Sequence, residues 1–386
     1  MSVTAAQGFR AAGVTAGLKA SGTPDVAVVV NDGPNFAAAG VFTTNRVTAA
    51  PVRWTAAGIA GAGAARAIVL NSGGANACTG PAGYDDTVAT ATHLGATLAV
   101  APELVAICST GLIGERLPMG ALLAGVDAAV AALSGGVAAG IAAATAIMTT
   151  DTVPKTSVAD LGGFTVGGMA KGAGMLAPGL ATMLVVLTTD AMADSDALDA
   201  ALRQATRTTF DRLDSDGAMS TNDTVLLLAS GASGITPEQD LLDAAVTQVC
   251  ADLAHQLMAD AEGATKEITI EVRHAASEDD AVEVGRAVAR NNLVKTAFFG
   301  QDPNWGRILA AVGTTAAVFD PDELDVAING VWICRSGAPG EDRSAVDLTG
   351  RAAHVTIDLH AGDETATILT NDLSHAYVHE NSAYST

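Results

Sequence analysis

Aromatic and charged residues are both scarce in this chain. Phe, Trp and Tyr make up 4% of its 386 residues, and Asp, Glu, Lys and Arg together make up 16%, below the roughly 25% charged residues of an average soluble domain. Hydrophobic residues nevertheless reach 49%, with 41 glycines, which excludes a disordered chain. We therefore expect closely approaching backbones rather than an aromatic core, and a length sufficient for two or three domains.

Basic residues are few as well. Lys and Arg number 20 against 42 Asp and Glu, which gives a formal net charge of −22. The summed field of such a chain repels a phosphate backbone, so we expect no nucleic-acid partner. The same field could enrich cationic metabolites near the surface, although an acidic balance is also an ordinary means of staying in solution.

The patterns of several common sites are missing. There is neither a G-x-S-x-G elbow nor a G-x-x-x-x-G-K-[ST] loop, which excludes the usual serine-hydrolase and P-loop sites. The cysteines form no C-x-x-C pair, so we expect no metal site and reduced cytosolic thiols. These are Cys78, Cys108, Cys250 and Cys334.

One long uncharged segment has to be assigned either to a membrane span or to helices. Residues 128–150 carry no charge and have the length to cross a bilayer. They are mostly Ala and Gly, however, and Ser134-Gly135-Gly136 interrupts them, which predicts two helices joined by a turn. Residues 1–13 include Arg10 but no apolar run typical of a secretory signal. We therefore expect a cytoplasmic protein without a membrane partner.

Strand-like and helix-like segments follow one another in irregular order. Strands are predicted at residues 25–30, 65–71, 104–109, 182–189, 224–229, 267–273, 324–328 and 354–359, and a hairpin at 157–170. Helices are predicted at 85–98, 118–132, 194–213, 237–259 and 278–291, with N-caps at Asp194, Thr236 and Ser277. This order predicts an α+β fold rather than regular βαβ winding.

A candidate nucleophile lies at Thr182, directly after Ala181 and close to a Pro-Gly bend. If Thr182 Oγ attacks the Ala181 carbonyl, the peptide bond becomes an ester, and water then releases Thr182 with a free α-amine. That amine titrates near roughly 7.7 to 8.0 and can serve as the general base for its own hydroxyl. The pattern therefore predicts self-cleavage and a threonine nucleophile.

Two other interpretations of this segment stay open on the residues alone. Residues 182–189 also fit a plain buried strand that happens to begin with Thr. Residues 172–177 match G-x-G-x-x-A, the fingerprint of dinucleotide binding. That fingerprint should open a helix, whereas Pro178-Gly179 and a strand-like run follow here.

The segment Lys171-Gly-Ala-Gly-Met-Leu-Ala-Pro-Gly-Leu-Ala-Thr-Met-Leu resembles the K-G-x-G-M-x-x-P-x-x-A-T-M-L signature of the bifunctional ornithine acetyltransferase/glutamate N-acetyltransferase family of arginine biosynthesis. Two departures are visible: Gly74 stands where the family usually has a second Asn, and Gly179-Leu180 precedes Ala-Thr in place of x-Met. Further matches in order cover nearly the whole chain, at residues 71–80, 109–114, 148–155, 220–224, 260–266, 293–297, 302–307 and 381–386.

The resemblance implies a fold and an assembly. It implies a four-layer αββα sandwich with a second, smaller lobe. Self-cleavage would divide the chain into an N-terminal (alpha) subunit of residues 1–181 and a C-terminal (beta) subunit of residues 182–386 that stay intertwined. The family further implies a heterotetramer of two alpha and two beta chains.

The resemblance also implies an activity. The acetyl group of N²-acetyl-L-ornithine would pass to L-glutamate through an acetyl ester on Thr182, in two ping-pong steps. No cofactor is implied, and the sequence leaves open whether acetyl-CoA is also a donor. Two alternatives are a self-processed aminopeptidase or amidohydrolase with the same nucleophile, and a binding protein without catalysis.

The site residues come partly from the resemblance and partly from local pattern. Ser109-Thr110-Gly111 after an apolar strand can present a hydroxyl and an N–H to an oxyanion, although such a tripeptide is often only a turn. The family places the oxyanion hole on Thr110 and Gly111. Alone, Lys171 and Glu262 would pass for a solvated lysine and a helix-end carboxylate. The resemblance makes them substrate ligands, together with Thr149, Thr182, Asn381 and Thr386.

Overall fold

The computed structural model describes residues 2–175 and 183–383, and these form two compact units. The first unit contains the described parts of Met1–Asp211 and Ala218–Leu257, and the second contains Arg212–Gly217 and the described part of the chain from Met258 onward. Helices and strands are mixed in both units, which confirms the predicted α+β class.

Two sheets make up the first unit. One has the strand order β1-β2-β4-β5 and the other β3-β9-β8-β7-β6. The strands are β1 Phe9–Val14, β2 Val26–Asn31, β3 Ala38–Phe42, β4 Ala67–Asn71, β5 Val105–Ser109, β6 Lys155–Leu161, β7 Phe164–Lys171, β8 Leu184–Thr189 and β9 Thr224–Ala229. The helices are α1 Ala50–Ala62, α2 Gly80–Leu98, α3 Met119–Ala131, α4 Val137–Ala146, α5 Ser195–Thr208 and α6 Gln239–Ala259.

The two sheets of the first unit share one core. Val29 and Ile68 from one sheet pack in the same buried cluster as Val186 and Leu226 from the other. The opposite face of the first sheet packs against α2 and α3 through residues such as Leu94. Most of these side chains are Val, Leu, Ile and Ala, which agrees with the scarcity of aromatic residues in the sequence.

A six-stranded sheet forms the second unit, in the order β13-β12-β11-β14-β10-β15. Its main core lies between this sheet and the helices α7 and α9, with Val284 and Ile308 among the buried residues. The strands are β10 Glu267–Ala275, β11 Asp325–Ile328, β12 Val331–Arg335, β13 Ala338–Pro339, β14 Ala352–Asp358 and β15 Glu364–Asn371. The helices are α7 Glu278–Ala289, α8 Asn292–Phe299, α9 Trp305–Val312 and α10 His375–Ala383.

Most of the predicted elements are present. The hairpin is β6 and β7, and the uncharged stretch contains the last turn of α3, the predicted turn and all of α4. Asp194 and Ser277 cap α5 and α7 by accepting hydrogen bonds from backbone N–H groups, as predicted. Among the described residues, none of the helices combines the length and the apolar character that crossing a bilayer would need.

Three helix boundaries were predicted wrongly. The helix predicted from residue 85 to 98 begins at Gly80. The helix predicted from residue 194 to 213 ends at Thr208. The helix predicted from residue 237 begins at Gln239, so Thr236 is not its N-cap. The backbone carbonyl of Glu238 accepts the first hydrogen bonds instead, and the Gln239 side chain donates to the Ala197 carbonyl and to Asp243 rather than closing a capping box.

Candidate active site

Thr110 and Gly111 lie where β5 ends beside the loop that follows β4. The Thr110 N–H donates to the Asn71 carbonyl and the Gly74 N–H donates to the Thr110 carbonyl, at 3.0 Å each. Gly111 has a φ of +130°, and a Cβ there would come within 2.8 Å of Gly74 N. The Gly111 N–H meets no backbone acceptor among the described residues, so this amide is available to a ligand.

Lys171 is the last residue of β7 and is only 2% exposed. It is therefore not the solvated lysine that its glycine-rich context alone would suggest. Its Nζ donates to Thr110 Oγ1 at 3.2 Å. Because the Thr110 oxygen accepts this bond, its own O–H is left to donate elsewhere, beside a positive charge. The two predicted residues thus meet across 61 positions of sequence.

Asp151 connects Gly172, the residue after Lys171, to Thr149. Its carboxylate accepts from Lys155 Nζ and Gly172 N, both at 2.7 Å, and from Thr149 N at 3.0 Å. Burial opposes the ionised form of Asp151, but the charges of Lys171 and Lys155 and the Gly172 N–H outweigh it, and the pKa of this carboxyl is lowered. The ionised carboxylate holds the backbone on both sides of the site.

Lys19 is a further cation of this neighbourhood. Its Nζ donates to the Met148 carbonyl at 2.6 Å and to the Pro24 carbonyl at 3.0 Å. Burial lowers the pKa of Lys19, and the nearby positive charge of Lys171 lowers it further, against the opposing charges of Asp25 and Asp151. The sequence offered no sign of this lysine, because it stands alone in a loop far from the matched motifs.

The Asp223 side chain accepts a hydrogen bond from the backbone of the residue that follows the predicted nucleophile. Its Oδ1 accepts from Met183 N at 2.9 Å, and its Oδ2 is buried without a hydrogen-bond partner among the described residues. Burial raises the pKa of Asp223 well above its ordinary value, although the Met183 N–H and the charge of Lys171 act in the opposite direction. A buried carboxyl with a raised pKa therefore binds the backbone of the residue next to Thr182 in sequence.

Asn222, the neighbour of Asp223, ties the two loops of the site together. Its amide donates to the Ala75 carbonyl at 2.6 Å and to the Ser109 carbonyl at 2.9 Å. These bonds fix the segment before Thr110 against the loop that contains Gly74. Asn222 and Asp223 were part of a matched motif, but nothing in their local pattern assigned either of them a role.

The predicted residues of the second unit also meet each other. Asn381 Nδ2 donates to Glu262 Oε2 at 2.9 Å, although 119 positions separate them. Glu262 also lines a cavity of about 60 Å³ with Asp216, Lys295 and Tyr377. Burial and then the charges of Asp216 and Glu262 raise the pKa of Tyr377 to about 12, and burial lowers the pKa of Lys295 to about 8.

Three predicted positions lie outside the described residues, namely Ala181, Thr182 and Thr386. Within the first unit the structure brings together Thr110, Gly111, Thr149 and Lys171, and within the second it joins Glu262 to Asn381. Sequence reasoning missed four charged residues and one amide of the first unit, all of them buried except the half-buried Lys19. They are Lys19, Asp151, Lys155, Asn222 and Asp223.

Comparison with known proteins gives one consistent family. The model of the ArgJ family matches residues 10–386. The chain is 66% identical to the arginine biosynthesis bifunctional protein ArgJ of Streptomyces avermitilis, over 100% of both chains. It is 63% identical to the protein of that name from Thermobifida fusca, also over 100% of both.

A solved structure of ornithine acetyltransferase from Mycobacterium tuberculosis, complexed with ornithine, is 53% identical in sequence. The match covers 47% of this chain and 96% of that chain, with a TM-score of 0.43.

Proposed function

Because the chain belongs to the ArgJ family, we propose that it is the ornithine acetyltransferase of arginine biosynthesis and that it moves the acetyl group of N²-acetyl-L-ornithine to L-glutamate. The observation that carries the mechanism is the buried Lys171–Thr110 contact beside the available Gly111 N–H. A hydroxyl and an amide after the end of β5, with a positive charge at the end of β7, form a suitable oxyanion site.

The first half-reaction forms an acetyl ester. Thr182 Oγ attacks the acetyl carbonyl of acetylornithine while its proton passes to the α-amine of Thr182, which acts as general base. The carbonyl oxygen becomes an oxyanion, which Thr110 O–H and Gly111 N–H stabilise by hydrogen bonds. When the oxyanion collapses, the C–N bond breaks and the ornithine nitrogen leaves with the proton.

The second half-reaction reverses these steps with a new amine. The neutral α-amine of glutamate attacks the acetyl ester, and the same donors stabilise the second oxyanion. The C–O bond to Thr182 then breaks, and Thr182 Oγ regains a proton as N-acetylglutamate leaves. Exclusion of water during the life of the ester is what separates a transferase from a hydrolase.

Substrate recognition is assigned to charged and polar side chains. Lys171 would pair with a substrate carboxylate, and Glu262 with the side-chain ammonium of ornithine. Thr149, Thr182, Asn381 and Thr386 complete the proposed contacts. Glu262 is held by Asn381 at 2.9 Å, which supports this pair as a preorganised anionic position.

The proposal includes maturation and assembly. Thr182 would cut the chain after Ala181, and the two products would stay together in a four-layer αββα sandwich with a smaller lobe. Two copies of each would form a heterotetramer in the cytoplasm. Since the relatives are named bifunctional proteins, we extend the proposal to acetylation of glutamate from acetyl-CoA, with no bound cofactor.

A coupled assay tests the transferase. Incubation with acetylornithine and glutamate should yield N-acetylglutamate and ornithine with little free acetate. Mass spectrometry measures all three products. Predominant acetate would instead establish the hydrolase alternative. Thr182→Ala should abolish both cleavage and transfer, whereas Thr182→Ser keeps a hydroxyl and should keep both in reduced measure. Normal cleavage with lost transfer in Thr182→Ala would contradict the shared nucleophile.

A further inference from the structure

Two histidines and an aspartate meet at one edge of the second unit. His274 follows Arg273 near the end of β10, and Asp358 ends β14, the parallel neighbour of β10 that pairs Asp358 with Arg273. His360 lies two residues beyond Asp358. Parallel strands end at the same edge of a sheet, so the three side chains converge although 84 positions separate His274 from Asp358. One ligand atom from each lies within 4.8 Å of the others.

The distances suit a shared metal ion. Both Asp358 oxygens lie 2.8 Å from His274 Nδ1, and Asp358 Oδ1 lies 3.5 Å from His360 Nδ1. Ligand atoms around a tetrahedral Zn²⁺, each about 2.0–2.1 Å from the ion, stand about 3.3 Å apart. Only small side-chain adjustments are needed to place an ion between the three atoms, and the fourth position stays open to water.

The other nitrogen of His360 is already oriented. His360 Nε2 is 3.2 Å from Asp325 Oδ2, and Asp325 in turn accepts from Arg335 at 2.9 Å and from Ser336 N at 2.8 Å. A carboxylate that receives the distal N–H of a histidine fixes its tautomer and directs the opposite nitrogen at a metal. Because Arg335 engages Asp325, this carboxylate is an orienting group and Asp358 is the anionic ligand.

The backbone holds the two imidazoles in this arrangement. His274 and His360 have φ values of +51° and +48°, a region that non-glycine residues seldom occupy. The His274 carbonyl accepts from Ala361 N at 2.7 Å and from Gly362 N at 2.9 Å. A Cβ at Gly362 would come within 2.4 Å of the Ala275 carbonyl oxygen. The loop after β14 is thereby locked onto the bulge of β10.

We propose that His274, Asp358 and His360 bind a borderline divalent metal ion, Zn²⁺ being the best match, at a site independent of the acetyl-transfer chemistry. Imidazole nitrogens with one carboxylate favour Zn²⁺, Co²⁺ or Ni²⁺ over Mg²⁺ and Ca²⁺. The ion binds the Nδ1 lone pair of neutral His274, and the ring hydrogen is then carried by Nε2. The Cys and His spacing in the sequence gave no hint of it, because the ligands come from two separate strands.

Titration of the full-length, tag-free protein tests the site. After chelation and dialysis, calorimetry with ZnCl₂ should show one Zn²⁺ per chain. Asp325→Asn should weaken binding about 10- to 100-fold, and His274→Ala and His360→Ala by at least that. Co²⁺ should give the visible absorption of a tetrahedral ion, and MgCl₂ should not compete.

His354→Ala is the matched control. His354 lies on the same strand β14 and pairs with Glu271 at 3.3 Å, but it is outside the cluster. This variant should bind Zn²⁺ with unchanged affinity, and circular dichroism melting should show that every variant is folded. The proposal is overturned if the wild-type protein binds no Zn²⁺, if His274→Ala or His360→Ala leaves binding unchanged, or if His354→Ala weakens it equally.

Discussion

Two buried carboxyls near Lys171 have pKa values shifted in opposite directions. Asp151 is held ionised by two lysines and by backbone N–H groups, although burial opposes the charge. Lys171 also favours the ionised form of Asp223, but burial outweighs it and raises the pKa of that carboxyl. Pairs of acids tuned apart in this way are typical of sites that handle protons.

Replacement of Thr110 tests the oxyanion donor. Thr110→Val keeps the shape of the side chain but removes the O–H, and we expect kcat to fall about 10²- to 10³-fold, the usual loss for one oxyanion donor. Thr110→Ser keeps the hydroxyl and should retain most of the activity. Steady-state rates with acetylornithine and glutamate measure both. Equal activity of the Val and Ser variants would remove Thr110 from the mechanism.

The carboxyl of Asp214 should make the free energy of unfolding depend on pH. Burial raises the pKa of its carboxyl to about 6, against the opposing influence of Arg290, compared with about 3.9 in an unfolded chain. Because the folded protein binds this proton more tightly, the stabilisation is complete below about pH 3.9 and is lost as pH rises through the folded pKa. The free energy of unfolding should lose up to about 3 kcal/mol between pH 4 and pH 7 from this group.

Asp214→Asn should remove that part of the pH dependence. Urea denaturation at several pH values should give a free energy of unfolding that falls less between pH 4 and pH 7 than in the wild-type protein. Asp363→Asn, at an exposed position of the same unit, should follow the wild-type profile. Parallel profiles for Asp214→Asn and the wild-type protein would show that the Asp214 carboxyl titrates alike in the folded and unfolded chains.

At the level of elements, the site depends on a close approach of two loops. Gly111 and Gly74 face each other with no room for a side chain on Gly111, and the bridge between Thr110 and Gly74 joins the loops. Gly74 is one of the two departures from the family pattern, and a Cβ there would come within 3.1 Å of Leu117 Cδ2. The departure therefore lies in the loop that shapes the proposed oxyanion site.

Two alanine substitutions in one loop separate strain from crowding. Gly111 and Gly114 both have positive φ, +130° and +92°, but of the two only Gly111 has atoms of the described residues within 4 Å of the place that a Cβ would take. We expect Gly111→Ala to lose at least about tenfold in kcat, because the loop must shift by about 1 Å. Gly114→Ala should lower the melting temperature through backbone strain but should leave kcat unchanged. The melting temperature of each variant measures the backbone strain, and its kcat measures the effect of crowding on the site.

At the level of the molecule, the two predicted cleavage products share one sheet. The five-stranded sheet contains strands of both products. Strands β3, β6 and β7 precede residue 182, whereas β8 and β9 follow it and lie between β3 and β7. The ladders of β3 with β9 and β7 with β8 would join the products after cleavage. Since these strands are buried, a cut between β7 and β8 need not release either product.

Electrophoresis and native mass measurement test the assembly. The purified protein should give two bands under denaturing conditions and a single native species of about 77 kDa, twice the 38.4 kDa of one chain. Thr182→Ala should give one denatured band of 38.4 kDa with an unchanged native mass. Separation of the two fragments without denaturant, or a native species of one chain, would refute the intertwined heterotetramer.

Local pattern determined the class of the fold and the position of most inner strands. Strands such as β4 and β9 are buried on both faces, and they read as continuous apolar runs whatever their neighbours are. The family motifs added the predicted roles of Thr110 as an oxyanion donor and of Lys171 as a substrate contact. Helix ends were less predictable, as α6 shows, because a capping pattern at Thr236 competes with contacts that only the folded chain supplies.

Tertiary structure decided which charges meet. The convergence of His274 with His360 depends on the parallel pairing of β10 and β14. The bond of Lys171 to Thr110 depends on the packing of two different sheets, and Lys19 is near enough to Lys171 to sense its charge. Hydrophobic periodicity reports which face of an element is buried, but not which distant residue will face it. A buried lysine and a solvated one therefore look alike in sequence, and only the packed sheets tell them apart.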